Sequence, residues 1–110
     1  MDLNQYQDKM LRTAGDIGFS NENLTLGALG ISGEAGEVTD YIKKVVFHGH
    51  ELDKRKIALE LGDVLWYLAY IAKVIDIPLN DIANMNIEKL KIRYPDGFSQ
   101  EQSIKRQEEI

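Results

Sequence analysis

The segment from residue 54 to residue 75 reads KRKIALELGDVLWYLAYIAKVI and decides the fold. Its apolar residues recur every three or four positions, which is the spacing of one face of an α-helix. Asp53 can cap the start of this helix, and Pro78 ends it near residue 76 because the residue before a proline avoids helical geometry. The apolar stripe consists of Ile57, Leu61, Val64, Leu65, Leu68, Ile71 and Ile75.

The segments on either side of this helix also show helical spacing. We predict helices from Leu3 to Ala14, capped by Asp2, from residue 24 to residue 47, and from residue 79 to residue 93. No stretch alternates with a period of two for long enough to predict a strand. The sequence therefore predicts an all-α fold: a four-helix bundle-like domain over residues 1–97 that oligomerises through its helices. Residues 98–110 are polar and predict a loose tail or a frayed helix.

Length and composition exclude several classes of protein. The 110 residues are enough for about one domain, and a net charge of −5 argues against a nucleic-acid polymer as a partner. The chain has no cysteine, which excludes disulfides, thiolate zinc sites and a cysteine nucleophile. Its longest apolar run, residues 64–72, is shorter than the roughly 20 residues of a membrane span. Because residues 1–10 also lack a basic, apolar leader, we expect a cytoplasmic protein without membrane association.

Two segments of the chain echo each other. EAGEVTDYI at residues 34–42 and ELGDVLWYL at residues 60–68 share the order acid, apolar, Gly, acid, Val, two variable residues, Tyr, apolar. Each acidic pair lies on one helix face beside the apolar stripe, because residues three apart are neighbours on a helix. We expect the two glycines of the echo to permit a close helix contact. The matched residues are Glu34 and Glu60, Gly36 and Gly62, Glu37 and Asp63, and Tyr41 and Tyr67.

The short connection between the two helices makes them antiparallel neighbours, so the four acids can meet in one cluster. Four carboxylates at close range repel one another and need protons or cations. Carboxylate oxygens without a nearby thiolate favour hard ions such as Mg²⁺ or Mn²⁺. The alternative is that the acids form an ordinary solvated helix face, which one acidic pair alone would favour.

Cationic and aromatic residues near this cluster suit a nucleoside polyphosphate. Asn86, Lys89 and Arg93 share one face of the fourth predicted helix, and Lys44 lies beyond Glu37; the alternative is that each is an ordinary solvated surface residue. Among the aromatic residues, Tyr67 and Tyr70 lie on the acidic side of their helix and can stack on a base. We expect Trp66 to point away from the acids and to pack between subunits, and His48 and His50 to lie in a solvated turn.

These motifs together resemble a known family. GEAGEV followed by YIKK, then LELGDVLWYLA, then NIEKLKIRYPDGF, is similar to the MazG-type nucleotide pyrophosphohydrolases of the all-α NTP pyrophosphatase superfamily. The signature of that family is ExxE, a spacer, then ExxD, and here 22 residues separate Glu37 from Glu60. The resemblance covers about residues 24–98.

The resemblance implies a function and a set of site residues. It implies Mg²⁺-dependent cleavage of a nucleoside triphosphate between the α and β phosphates, by a homodimer or homotetramer. Glu34, Glu37, Glu60 and Asp63 correspond to the metal ligands and catalytic acids of the family; Lys44, Asn86, Lys89 and Arg93 correspond to substrate contacts. Two alternatives remain open: a non-catalytic helical module that binds a nucleotide or a partner, and an enzyme like the phosphoribosyl-ATP pyrophosphohydrolases.

Overall fold

A computed structural model describes residues 1–108, with side chains described up to residue 106. The described chain consists of five helices and their connections, which confirms the all-α prediction. Within this part of the chain, no helix is both long enough and apolar enough to cross a membrane. The helices are α1 (Leu3–Ala14), α2 (Asn21–Phe47), α3 (Lys54–Val74), α4 (Leu79–Arg93) and α5 (Gln100–Glu108).

The helix boundaries agree with the sequence prediction for α1 and α4 and differ elsewhere. Helix α2 begins three residues early, because the hydroxyl of Ser20 caps it by accepting a hydrogen bond from the backbone N–H of Asn23 at 3.0 Å. Helix α3 ends at Val74, one residue before the predicted end. The polar C-terminal segment, which we predicted to be a loose tail or a frayed helix, forms α5 as far as it is described, and α5 packs on α4.

The buried core lies where α1, α3 and the start of α4 meet. It contains Tyr70, whose side chain is only 4% exposed and whose hydroxyl donates a hydrogen bond to Asn23 Oδ1 at 3.2 Å. Tyr70 is therefore a core residue, and its prediction as a base-stacking residue is wrong. The other members of the core are Met10, Ala69, Ala72, Val74 and Leu79.

Helices α2 and α3 approach closely at Gly27 and Gly30. A Cβ atom at Gly30 would lie 2.5 Å or less from three ring atoms of Tyr67, and one at Gly27 would lie 2.5 Å from Ile71 Cγ1. By contrast, a Cβ atom at Gly36 or Gly62 would meet nothing within 4 Å. The predicted close contact at those two glycines is wrong within the protomer, because both lie beside open space.

The start of α4 is capped by side chains of α1 rather than by its own neighbours. The N-cap residue, Pro78, has no side-chain hydrogen bond to offer. Instead, Gln7 Oε1 accepts a hydrogen bond from the backbone N–H of Leu79 at 2.9 Å, and Gln7 Nε2 donates one to the carbonyl of Ile77 at 3.2 Å. Asn4 Oδ1 accepts another from the backbone N–H of Asn80 at 2.9 Å. These bonds fix the direction in which α4 leaves the core.

Candidate active site

The predicted acidic residues meet between α2 and α3. Glu34, Glu37 and Glu60 each place one carboxylate oxygen within 4.8 Å of the other two. Asp63 lies close enough to Glu34 for its charge to act on that side chain. Both acidic pairs therefore lie on the facing sides of two antiparallel helices, as the spacing of the echo predicts.

Glu34 is the most perturbed acid of the cluster. Partial burial raises the pKa of Glu34, and the charges of Glu37, Asp63 and Glu60 raise it further. Its Oε2 atom is buried and has no hydrogen-bond partner among the described residues. A buried oxygen of this kind normally has a donor or a cation beside it. The donor set consists of carboxylate oxygens, so these residues fit a hard divalent cation.

The contacts along the α2–α3 seam follow one antiparallel register. Tyr67 packs against Gly30 at one end of the acidic cluster, and Lys56 lies over the ring of Tyr41 at the other end, with Nζ 4.5 Å from the ring centroid. This register explains the echo in the sequence. Each motif places a tyrosine one turn beyond its second acid, so two antiparallel copies place Tyr41 and Tyr67 at opposite ends of the cluster.

A cleft of about 340 Å³ opens at the Tyr67 end of the acids. Trp66 also lines this cleft, and its Nε1 atom donates a hydrogen bond to Thr13 Oγ1 of α1 at 2.9 Å. The prediction that Trp66 points away from the acids is therefore wrong. Trp66 lies three residues after Asp63, and that spacing shares a helix face, so the sequence contained the signal. Glu34 and Asp63 supply the acidic side of the cleft.

A second cleft of about 310 Å³ opens at the other end of the acids, beside the α2–α3 connection. Lys44 lines this cleft together with Glu37 and Glu60, and its contact with substrate stays a prediction. His50, which the sequence assigned to a solvated turn, is exposed but also lines this cleft. The remaining lining residues are Asp40, Tyr41 and Lys56.

Comparison with known proteins identifies the family. The family model of the MazG nucleotide pyrophosphohydrolase domain matches residues 21–98. The chain belongs to the MazG nucleotide pyrophosphohydrolase family. Gene 37 protein of Mycobacterium phage L5 is 34% identical to this MazG chain over 91 residues, covering 79% of each protein. No solved structure matches the chain significantly.

The MazG match includes α2, α3 and α4, but the fold does not bring the predicted α4 residues to the acids. Helix α4 packs on α1, α3 and α5, and the described residues show no packing between α2 and α4. Asn86 and Lys89 are exposed on α4. Arg93 is half-buried and, with Gln102 of α5, lines a separate small cleft. The contact of these three residues with substrate stays a prediction.

Other residues of the chain reach the site without having been predicted for it. Thr13 comes from α1, which lies outside the matched segment. Lys56 lies four residues before Glu60, a spacing that places both on one face of α3. That spacing could have identified Lys56 from the sequence. Nothing in the sequence shows that Thr13 of α1 reaches Trp66, because this depends on how the helices pack.

Proposed function

We propose that the protein is a Mg²⁺-dependent nucleoside triphosphate pyrophosphohydrolase. It cleaves an NTP or dNTP between the α and β phosphates and releases the nucleoside monophosphate and pyrophosphate. Family membership supports the reaction class. The observation that carries the proposal is the cluster of Glu34, Glu37 and Glu60, with one oxygen of each within 4.8 Å, and the buried unpartnered oxygen of Glu34.

The four acids are the metal ligands in this proposal. Glu34, Glu37, Glu60 and Asp63 hold Mg²⁺, for which Mn²⁺ can substitute, because both ions prefer carboxylate oxygens. When bound, Mg²⁺ would offset the charge of the phosphates and make a water molecule more acidic. Of Glu37 and Glu34, the one whose carboxylate lies outside the innermost shell of the ion takes the proton of the attacking water. No nucleophilic side chain is needed for this reaction.

In this proposal, the substrate extends across both clefts, with its base in one and its phosphates in the other. Tyr67 and Trp66 line the first cleft and offer aromatic surface for the base; the two rings meet edge to face, with centroids 5.0 Å apart. Lys44 contacts the phosphates from the second cleft. In this proposal, Asn86, Lys89 and Arg93 reach the phosphates from a neighbouring copy, since α4 of the same chain does not reach α2 in the described structure.

We further propose that the protein is a homodimer or a homotetramer. The radius of gyration is 17.0 Å, against roughly 13 Å for a compact chain of this length. Large apolar side chains remain exposed on the helices, including Phe47 (78%), Ile92 (82%) and Leu29 (70%). Burial of such a surface by a second copy favours association. Light scattering should give a mass of at least twice 12.5 kDa, and a monomer at micromolar concentration would refute this part.

The reaction is tested by product analysis. Wild type, incubated with a panel of NTPs and dNTPs and Mg²⁺, should release pyrophosphate, and a chelator should stop the release. Glu60→Gln should be inactive because it removes a ligand charge, whereas Glu101→Gln, on α5, should behave as wild type. Orthophosphate instead of pyrophosphate would refute the position of cleavage. No product from any nucleotide, with folded protein, would favour the binding module.

A further inference from the structure

The second cleft contains two polar side chains, those of Lys56 and His50, that the family resemblance does not assign. Lys56 lies in the first turn of α3, and its Nζ atom lies 4.5 Å from the centroid of the Tyr41 ring, which also lines the cleft. His50 comes from the α2–α3 connection. Together with Lys44 these groups surround one end of the acidic cluster, next to Glu37 and Glu60.

Tyr41 gives the cationic end of the cleft a defined shape. Its side chain is buried, and its hydroxyl donates a hydrogen bond to the carbonyl of Glu51 and accepts one from the backbone N–H of Asp53, both at 2.9 Å. These two bonds hold the α2–α3 connection against α2. The backbone N–H of His50 also donates to the carbonyl of Lys44 at 3.2 Å. The connection that carries His50 is therefore tied to α2 at both of its ends.

When the acidic cluster binds a metal ion, the remaining charged side chains of this cleft carry a net positive charge. Asp40 accepts from Lys44 at 2.8 Å and from Lys43 at 3.2 Å, so one carboxylate has two ammonium partners. Lys56 has no carboxylate partner among the described ion pairs and contacts the face of an aromatic ring. With Glu37 and Glu60 facing the cation, Lys56 is free to attract a second anionic group, and Asp40 offsets only part of the charge of Lys44 because it also accepts from Lys43.

We propose that Lys56 and His50, with Lys44, form the subsite that binds the terminal phosphates of the substrate, the part that leaves as pyrophosphate. This inference rests on the proposed function and adds Lys56 and His50 to it: the β and γ phosphates lie at the Lys56 end of the seam, opposite the base at the Trp66 end. The cleft volume of about 310 Å³ falls in the usual range for small-ligand sites, roughly 300–1,000 Å³. Tyr41 is a positioning residue, since it holds Lys56 and the connection.

The test is calorimetric binding of inorganic pyrophosphate and of a nucleoside monophosphate, both in the presence of Mg²⁺. Lys56→Gln should weaken pyrophosphate binding by about tenfold or more, because a charge-assisted contact to phosphate is lost. Binding of the monophosphate, which has no terminal phosphates, should stay unchanged. Lys56→Arg keeps the charge and the contact with the ring, and should restore pyrophosphate binding.

The control is Lys54→Gln, which removes an exposed charge two residues earlier, outside the residues that line the cleft. It should bind pyrophosphate as wild type does. Lys44→Gln provides a second test within the cleft if Lys56→Gln does not fold. Wild-type affinity for pyrophosphate in Lys56→Gln, or an equal loss for the monophosphate, would overturn the subsite.

The binding assay does not depend on turnover, so the two proposals fail separately. A wild type that cleaves no nucleotide but binds pyrophosphate through Lys56 would keep the subsite and overturn the proposed activity. A wild type that cleaves NTPs, with pyrophosphate binding indifferent to Lys56, would keep the activity and overturn the subsite.

Discussion

The contact between Gly30 and Tyr67 couples helix packing to the candidate active site. A methyl group at position 30 would lie 2.5 Å or less from the Cε1, Cδ1 and Cζ atoms of Tyr67. The ring cannot simply turn aside, because its centroid lies 5.0 Å from that of Trp66, and Trp66 is itself hydrogen-bonded to Thr13. We therefore expect Gly30→Ala to force α2 and α3 apart or to displace Tyr67 from the cleft.

The magnitude follows from a comparison with Gly33→Ala. Position 33 lies in the same helix, and a Cβ atom there would meet nothing within 4 Å. Both substitutions gain the helix propensity of alanine, about 1 kcal/mol, so this gain cancels between them. The difference between the two variants in the free energy of unfolding then measures the steric overlap at position 30. Such overpacking typically costs about 1–3 kcal/mol. Gly30→Ala should thus melt at a lower temperature than Gly33→Ala, by roughly 4–8 °C per kcal/mol.

Thermal unfolding followed by circular dichroism measures this difference. Fluorescence gives a local readout, since Trp66 is the single tryptophan of the chain and its emission should change in Gly30→Ala but not in Gly33→Ala. If Gly30→Ala melts at or above the temperature of Gly33→Ala with unchanged emission, the close approach of α2 and α3 at this position is wrong.

Three further predictions concern charge, a buried hydrogen bond and a helix cap. Glu34→Gln should raise the melting temperature of the metal-free protein at neutral pH and abolish its stabilisation by Mg²⁺. Burial and neighbouring charges raise the pKa of Glu34 in the folded state, so the metal-free wild type should lose stability as the pH rises through that raised pKa. In melts taken with a chelator over the same pH range, Glu34→Gln should lose less stability than the wild type. Gln7→Ala should lower the free energy of unfolding by about 1–3 kcal/mol in urea titrations, since it leaves the buried N–H of Leu79 without a partner; an unchanged midpoint would contradict the non-local cap. Asp53→Ala should cost about 1 kcal/mol by removing the cap of α3, and Asp53→Ser should recover most of it, whereas equal losses in both would argue against the cap.

Much of the fold and of the acidic cluster could be predicted from local patterns. The spacing of apolar residues, with the Asp2 cap for α1 and Pro78 before α4, predicted these two helices with their observed bounds, because these signals act within a few residues. The echo predicted that the acids meet, since two antiparallel neighbours bring matching faces together. The role of those acids as metal ligands, and of Lys44 and Tyr67 as substrate contacts, stays a prediction.

Other predictions failed where long-range packing competes with local pattern. By helical spacing alone, Tyr70 lies on the same side of α3 as the acids. The approach of α1 and α2 buries it in the core instead. Gly36 and Gly62 are matched in the echo, yet the close approach occurs at Gly27 and Gly30, where the partner side chains are large. Helical periodicity gives the direction of a side chain but not the neighbour that it meets.

The sequence by itself determined that this chain is helical, that its acids lie in two matched pairs, and that it resembles a MazG enzyme, because these features depend on residue type and spacing. Only the tertiary structure decided the order of groups along the α2–α3 seam. The antiparallel register places Trp66 and Tyr67 at one end of the acids and Lys44 and Lys56 at the other. That arrangement depends on how far two helices slide past each other, which is determined by the side chains that fit against Gly27 and Gly30.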